Sequence, residues 1–267
     1  MNWEKISLSA CEVAKEAGAF IREERMKFNP GQMVEKGKRN LVSYVDVEAE
    51  KIIVTGLREI LPDAGFITEE NTIARNDHSQ QWIIDPLDGT TNFIHGVPPF
   101  AVSIALQQEN ELTIGVIYEV NLDECFYAWK GGGAFLNGKK ISVTATNSLR
   151  HALNATGFPY ESFPLMERYF SSLRYLFNNT HGVRRLGSAA VDLAYVACGR
   201  FDAFFEYNLN AWDVAAGALL VQEAGGRVTD MNGGNDFLFG KTIVASNSNL
   251  YNEFFNAVVN PQLVHAV

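Results

Sequence analysis

Apolar residues recur at three- and four-residue steps in two stretches near the start of the chain. The first stretch runs from Trp3 to Ile21, and the second covers about Tyr44–Leu61. This spacing predicts two amphipathic helices, each burying one face. The segment between them, Lys27–Asn40, breaks the pattern and carries the basic residues Lys36, Lys38 and Arg39. We expect this segment to be a mobile surface loop.

Short apolar runs bounded by turn residues predict strands in the rest of the first half. Ala64–Thr68 runs directly into Glu69-Glu70, and Trp82-Ile83-Ile84 is typical of the end of a buried strand. An antiparallel meander is predicted over three further segments, Ala101–Leu106, Leu112–Val120 and Glu124–Trp129. Gly131-Gly132-Gly133 lacks the lysine of a phosphate loop, so we interpret it as a structural turn.

Helix and strand patterns alternate again from about Ser142 onward. The predicted elements are a helix at 163–177, a helix from Gly187-Ser188 to Cys198, a strand at 200–206, a helix after Asn210, a strand at 242–245 and a helix to about Val259. We find no repeat and no linker. Residues 1–267 are therefore expected to form one domain, with closely packed halves at about 1–141 and 142–267.

Two acids follow the buried run at Trp82-Ile83-Ile84. In Asp85-Pro86-Leu87-Asp88-Gly89-Thr90-Thr91-Asn92-Phe93, the proline favours an extended conformation for Asp85, and the glycine permits a tight turn. A helix beginning at Thr90 or Thr91 would offer free N–H groups to an anion. Two carboxylates beside an anion site repel each other and the anion, and a divalent cation such as Mg²⁺ would relieve the conflict. An exposed acidic turn is the alternative explanation.

Composition narrows the class of protein. With 47% hydrophobic residues and 18 Phe, the chain can bury a large core. The net charge of -9 argues against a nucleic-acid-binding surface. No apolar run has membrane-spanning length, and the N-terminus does not resemble a signal peptide, so we expect a cytoplasmic protein without membrane contact. Cys11, Cys125 and Cys198 lack zinc-site spacing and are expected to be small buried side chains.

Several motifs along nearly the whole chain resemble the inositol monophosphatase family of Mg²⁺-dependent, lithium-sensitive phosphatases. They are Asn40-Leu41-Val42-Ser43-Tyr44-Val45-Asp46, Ile67-Thr68-Glu69-Glu70, Trp82 through His95, Gly187-Ser188-Ala189-Ala190 and Ala211-Trp212-Asp213-Val214-Ala215-Ala216-Gly217. The resemblance implies a mixed α/β (α+β) fold, a layered αβαβα sandwich, and a homodimer. It also gives Asp46, Glu69 and Asp213 functional roles, although a helix dipole or a capping box would explain Asp46 and Asp213 equally well.

The resemblance implies two to three Mg²⁺ ions in the site. Glu69, Asp85 and the Leu87 carbonyl correspond to ligands of one ion, and Asp85, Asp88 and Asp213 to ligands of a second, with a weak third near Glu69. Thr90, paired with Asp46, corresponds to the group that takes or orients the proton of the attacking water, so the expected catalytic residues are Thr90, Asp46 and Glu69. Lys36 matches the family's mobile loop only approximately, because the loop is one residue shorter here.

The resemblance also implies which residues contact a small phosphate monoester. Gly89 and Thr90 correspond to backbone donors to the phosphate, and Glu206 to a group that binds hydroxyls. The complete expected set is Asp88, Gly89, Thr90, Gly187, Ser188, Ala189, Glu206 and Asp213. Asn210 and Ser188 differ from residues common in the family, His and Thr respectively, which affects the choice among inositol and sugar phosphates. Fructose 1,6-bisphosphate and histidinol phosphate are alternative substrates.

Two other classes of function compete with this one. A haloacid-dehalogenase-type phosphatase would use a covalent aspartyl phosphate, but its two acids lie two positions apart, whereas Asp85 and Asp88 are three apart. A partner-binding regulatory protein with residual phosphatase activity would keep the fold. The full set of acids argues against loss of catalysis, because such a set is costly to hold together without a metal.

Overall fold

The computed structural model describes residues 1–28, 33–37, 40–74, 78–158 and 163–259, with the backbone alone for 33–37 and 40–43. The helices are α1 (Trp3–Lys27), α2 (Tyr44–Ile60), α3 (Thr90–His95), α4 (Met166–Asn179), α5 (Ala189–Ala197), α6 (Ala211–Glu223) and α7 (Tyr251–Val259). The strands are β1 (Met33–Gly37), β2 (Asn40–Ser43), β3 (Gly65–Thr68), β4 (Gln80–Asp88), β5 (Ala101–Gln108), β6 (Glu111–Glu119), β7 (Glu124–Trp129), β8 (Gly133–Leu136), β9 (Lys139–Ile141), β10 (Leu153–Thr156), β11 (Gly182–Arg184), β12 (Ala203–Tyr207), β13 (Gly226–Thr229) and β14 (Thr242–Asn247).

Two large sheets form the framework. The first has the order β3-β4-β5-β6-β7-β8-β9, in which β3 and β4 are parallel and the other pairs are antiparallel. The second has the order β11-β10-β12-β14-β13, with parallel pairs on the β11 side and antiparallel pairs on the β13 side. The predicted antiparallel meander is thus present in the first sheet.

Helices and sheets alternate in five layers. α1 and α2 pack on the outer face of the first sheet, α5 and α6 lie between the sheets, and α4 and α7 cover the second sheet. Alternation along β5 shows how one strand serves two cores: Val102, Ile104 and Leu106 belong to the α1/α2 core, whereas Ala101 and Ala105 face the central helices. The predicted αβαβα sandwich is confirmed.

The segment between the first two helices differs from its prediction. β1 and β2 pair antiparallel, with Val34 opposite Val42, in place of the expected continuous loop. The prediction was wrong because these strands are only five and four residues long, too short to show a clear hydrophobic alternation. Helix α1 also continues to Lys27, beyond the last apolar residue of the predicted run at Ile21.

The burial of two of the three cysteines and the structure of the triglycine turn agree with the predictions. Cys11 and Cys125 are buried and all three cysteines are free thiols, but Cys198 is only half-buried. In the triglycine turn, the N–H groups of Gly131 and Gly133 donate to the Glu223 carboxylate, at 2.8 and 2.9 Å. These N–H groups are therefore occupied by the protein itself, in agreement with a structural turn.

Candidate active site

Glu69 and Asp85 meet at one edge of the first sheet. β3 and β4 are parallel, and Thr68 pairs with Ile84, so the residues that follow, Glu69 and Asp85, lie side by side. The Glu69 N–H donates to the Ile84 carbonyl oxygen at 3.3 Å, which continues the pairing past the end of β3. The parallel register therefore accounts for the proximity of two acids that are far apart in sequence.

A β-bulge brings Asp88 to the same side as Asp85. Asp85 pairs with Ser103 and Asp88 with Ala101, so three steps along β4 match two steps along β5. Without the extra residue, side chains three positions apart would point to opposite faces of the sheet. Pro86 lies within this bulge, where its missing N–H is tolerated. Asp88 is thus the last residue of β4.

Gly89 turns the chain from β4 into α3. Its φ of 95° lies in the left-handed region, which favours glycine. The turn places the Thr90 hydroxyl 2.9 Å from Asp46 Oδ1 and 3.0 Å from the Leu87 carbonyl oxygen, as a donor shared between them. Asp46 lies in the first turn of α2 and is buried. The structure therefore brings Thr90 and Asp46 together.

Asp213 enters from the first turn of α6. Its Oδ2 accepts a hydrogen bond from the Asn210 N–H at 2.6 Å, the capping arrangement predicted from the sequence. The same carboxyl faces Asp85 and Asp88. The Asp213 side chain can therefore cap the N-terminus of α6 and line the pocket at the same time.

Burial and mutual repulsion raise the pKa of these carboxyl groups. For Asp85, burial is the largest cause, followed by the charges of Glu69, Asp88 and Asp213, and its pKa lies well above the usual range. Burial raises the pKa of Asp88 to about 6, against hydrogen bonds from the Ser188 hydroxyl and the Ala190 N–H, both 2.7 Å. Burial and Asp88 raise the pKa of Asp213 to about 7.

The donor set fits a hard divalent cation. All four side chains offer carboxylate oxygens to one pocket that the Leu87 carbonyl also lines, and hard cations prefer such ligands. Among the described residues, no group of three or more acidic, histidine or cysteine side chains is arranged so that it could hold a metal ion as it stands. One oxygen each of Asp85, Asp88 and Asp213 accepts a protein N–H. The chemistry of a metal site is present, and its repulsion is what a cation would relieve.

The same pocket contains the residues expected to contact the alcohol part of a substrate. Its lining includes Gly187, Ser188, Ala189 and Glu206. Ser188 is the N-cap of α5; it donates to Asp88 Oδ2 and accepts from the Val191 N–H, so its hydroxyl is already engaged. Burial is the main cause that raises the pKa of Glu206 to about 8, with smaller contributions from Asp213 and Asp88.

Sequence reasoning missed three residues here. Arg185 lines the pocket, and its positive charge partly opposes the rise in the pKa of Asp88, Glu206 and Asp192 that burial causes. Asp192 is buried in α5, its pKa lies well above the usual range because of burial, and its Oδ1 has no hydrogen-bond partner in the described part of the chain. Gly157 lines the pocket after β10. A cation next to the Gly187-Ser188 turn was the available signal for Arg185; the other two have none.

The basic residues predicted in the segment between α1 and α2 fall wholly or partly outside the described part of the structure. Lys36 belongs to β1, and its side chain lies outside the described residues. Lys38 and Arg39 lie outside them altogether. Asn210 is described: its Oδ1 accepts a hydrogen bond from the Lys241 ammonium group, so at this position the side chain is held by a neighbouring cation.

The model of the inositol monophosphatase family matches residues 2–263. An inositol-1-monophosphatase from Mesorhizobium japonicum is 42% identical over 94% of both chains. The Nus factor SuhB of Pseudomonas aeruginosa is also 42% identical, over 93% of this chain and 94% of that one. Among solved structures, the extragenic suppressor protein SuhB of Bartonella henselae is 43% identical over 93% of this chain and 96% of that one, with a TM-score of 0.88.

Proposed function

Because the chain belongs to the inositol monophosphatase family, we propose that it is a Mg²⁺-dependent phosphomonoesterase acting on inositol monophosphate or a related small sugar or alcohol phosphate. The observation that carries the proposal is the crowding of Glu69, Asp85, Asp88 and Asp213 in one pocket with Glu206. Metal-binding groups and a hydroxyl-binding carboxylate in one pocket suit a phosphorylated alcohol.

In this proposal Glu69, Asp85 and the Leu87 carbonyl would hold one Mg²⁺, and Asp85, Asp88 and Asp213 would hold a second. A weak third ion is assigned near Glu69. Bound Mg²⁺ would lower the pKa of water and neutralise negative charge on the phosphate. Asp85 is assigned to both ions because it is buried and faces all three other carboxylates. Replacing it is therefore expected to affect hydrolysis of every ester alike.

Thr90 and Asp46 are assigned to the proton of the attacking water. The Asp46 carboxylate accepts the Thr90 hydroxyl proton at 2.9 Å, which turns the lone pairs of that oxygen away from Asp46. Those lone pairs can orient a water molecule. As the water attacks, the Thr90 oxygen would take its proton and pass its own hydroxyl proton to the Asp46 carboxylate. Such positioning and charge stabilisation supply most of what phosphoryl transfer requires.

The remaining lining residues are assigned to the substrate. The N–H groups of Gly89 and Thr90 would hold phosphate oxygens, and Asp88 and Asp213 border the same space. Glu206 and the Gly187-Ser188-Ala189 turn would bind hydroxyls of the alcohol. The Ser188 hydroxyl already donates a hydrogen bond to Asp88, so we propose that the backbone of Ser188 contacts the substrate. The hydroxyl would then orient the Asp88 carboxylate.

Phosphate release from a panel of esters, with and without Mg²⁺, tests the proposal. We expect hydrolysis of inositol 1-phosphate only with the metal, and one ¹⁸O atom in the phosphate when the solvent is ¹⁸O-labelled water. Asp85→Asn should reduce turnover of all esters by about a hundredfold or more. A phosphorylated aspartate trapped at Asp85 or Asp88, or metal-independent turnover, would contradict the mechanism.

A second candidate function is partner binding, with phosphatase activity as a residual property. Relatives called Nus factor SuhB are as similar to this chain as one called inositol-1-monophosphatase. The structure also exposes three phenylalanines near α4: Phe158, Phe170 and Phe177 are 49, 50 and 64% exposed. No turnover of any ester by a protein that binds Mg²⁺ would favour this candidate.

We also propose a homodimer, which the family resemblance implies. Sedimentation velocity would test the assembly, and Phe170→Ser with Phe177→Ser would test whether the exposed face of α4 contributes to it. Leu122→Ser is the matched control, because Leu122 is 60% exposed in the turn between β6 and β7. A protein that sediments as a monomer at micromolar concentration would exclude the dimer.

A further inference from the structure

The loop after β10 lies directly against Glu206, the carboxylate that the proposed function assigns to substrate hydroxyls. β10 and β12 are parallel neighbours, and Thr156 pairs with Phe205. Gly157 therefore follows its strand at the level where Glu206 follows Phe205. The Thr156 hydroxyl donates to the Phe205 carbonyl oxygen at 2.8 Å, which fixes this loop to β12.

Gly157 has no space for a side chain. A Cβ atom at this position would lie 1.9 Å from Glu206 Oε1, 2.0 Å from its Cδ and 2.1 Å from its Oε2. These distances are far below the roughly 3.5–4.0 Å of favourable non-bonded contacts. The backbone of Gly157 lies outside the left-handed region, so its conformation does not require glycine. The requirement comes from the Glu206 carboxylate, which supplies the three atoms nearest to the added Cβ.

The loop is held in place from the other side. The Tyr169 hydroxyl donates to the Gly157 carbonyl oxygen at 2.8 Å, and Tyr169 is almost fully buried in α4. A side chain at position 157 would therefore displace the flexible end of Glu206 more readily than the loop. Arg185, which lies over the Phe158 ring at 5.5 Å, adds a positive charge that attracts the Glu206 carboxylate.

We propose that Gly157 is a positioning residue: by leaving its Cβ position empty, it lets the Glu206 carboxylate point to where it selects polyol phosphates over esters without hydroxyls. The inference rests on the proposed function, because it assigns a selectivity to that function's own pocket. It adds that the selectivity depends on a residue with no side chain, one that makes no contact with metal or phosphate.

The test compares Gly157→Ala with Glu206→Ala and with the double variant. The ratio of kcat/KM for inositol 1-phosphate to kcat/KM for phenyl phosphate should fall by about ten- to a hundredfold in each single variant, the loss expected for one or two hydrogen bonds to the substrate hydroxyls. In Gly157→Ala, turnover of phenyl phosphate and its Mg²⁺ dependence should stay near the wild-type values, because Gly157 has no side chain and is not assigned to the metal or the phosphate. The double variant should be no worse than Glu206→Ala, because the clash disappears with the carboxylate.

Gly234→Ala is the matched control, since a Cβ there would also meet a carboxylate, at 2.8 Å from Asp230 Oδ2, outside this pocket. It should leave the ratio unchanged. Equal losses for both substrates in Gly157→Ala, or additive effects in the double variant, would overturn the inference.

Urea unfolding of the same four proteins gives a readout that needs no substrate. Gly157→Ala should destabilise the wild type but not Glu206→Ala, so the cycle should show coupling between the two positions. If the wild type hydrolyses no ester, the proposed function fails while this cycle still tests the contact. Additive stabilities, or a double variant that does not fold where Glu206→Ala does, would refute it.

Discussion

The carboxyl groups around the pocket keep their protons to a higher pH than carboxyl groups in water do. Burial comes first among the causes for Asp85, Asp88, Asp213 and Glu206. Each raised pKa means that the folded protein disfavours the charged form. A protein that holds these groups together without a cation is therefore less stable at neutral pH than at mildly acidic pH.

Glu206 provides a direct check of this pH dependence. Its pKa is about 8 in the folded protein and 4.5 in the reference state. Between these values the folded state holds a proton that the unfolded state has lost, so rising pH reduces the free energy of unfolding by up to about 1.4 kcal/mol per pH unit. Glu206→Gln should flatten this slope between pH 5 and 8 in urea unfolding with a chelator. Identical slopes for the two proteins would show that Glu206 ionises normally.

Thr90 tests the assignment of the water's proton. Thr90→Val keeps the shape of the side chain and removes the hydroxyl, so kcat should fall by about 10²- to 10⁴-fold, the usual contribution of a general base. Thr90→Ser, which keeps the hydroxyl, should recover most of the activity. Mg²⁺ binding measured by calorimetry should persist in both variants, since the hydroxyl is not an assigned ligand. Full activity in Thr90→Val would remove Thr90 from the mechanism.

At the scale of elements, the β4–α3 connection depends on a bulge and a turn. The bulge between Asp85 and Asp88 and the left-handed Gly89 together set where Asp88 and Thr90 point. The sequence predicted the strand, the glycine turn and the start of the helix, because these follow from local propensities. It did not predict the bulge, which depends on pairing with a strand that follows 13 residues after Asp88.

Gly89→Ala tests the importance of this turn. A Cβ at this position would lie 3.1 Å from the Pro99 carbonyl oxygen, and the φ of 95° is strained for alanine. We expect a loss of about 1–3 kcal/mol in the free energy of unfolding, or roughly 2–6 °C in Tm for a chain of this size. Gly225→Ala is a suitable control, because it shares the positive φ, at 89°, but has open space around it. If both variants lose the same Tm, the close contacts at Gly89 are unimportant.

The features that sequence reasoning missed depend on which strands pair in the fold, and local sequence patterns do not show this. β1 and β2 are only five and four residues long, so local sequence patterns do not indicate their pairing. Gly157 lies close to Glu206 only because β10 and β12 are neighbours in the second sheet. By contrast, motif spacing and family resemblance singled out the five acids Asp46, Glu69, Asp85, Asp88 and Asp213. In the structure, the charges of Glu69, Asp88 and Asp213 act on Asp85. Asp46 accepts a hydrogen bond from Thr90.

At the scale of the whole molecule, the pocket depends on both sheets. Glu69, Asp85 and Asp88 come from the edge of the first sheet, whereas Glu206 belongs to the second and Asp213 to a helix between them. Because α6 packs against strands of both sheets, we propose that the two halves of the chain act as one domain. The acidic side chains then meet only when the whole sandwich is assembled. No helix among the described residues is both long and apolar enough to cross a membrane.

Thermal unfolding with and without Mg²⁺ tests most directly the central claim, that these carboxylates form a metal site. Mg²⁺ that binds only the folded protein should stabilise it by about 2.7 kcal/mol at a hundred times its Kd, which corresponds to an increase in Tm of several degrees. Asp85→Asn relieves repulsion, so without metal it should melt no lower than the wild type, while its gain with Mg²⁺ should be much smaller. An unchanged wild-type Tm at tens of millimolar Mg²⁺, or an equal gain in Asp85→Asn, would contradict the account.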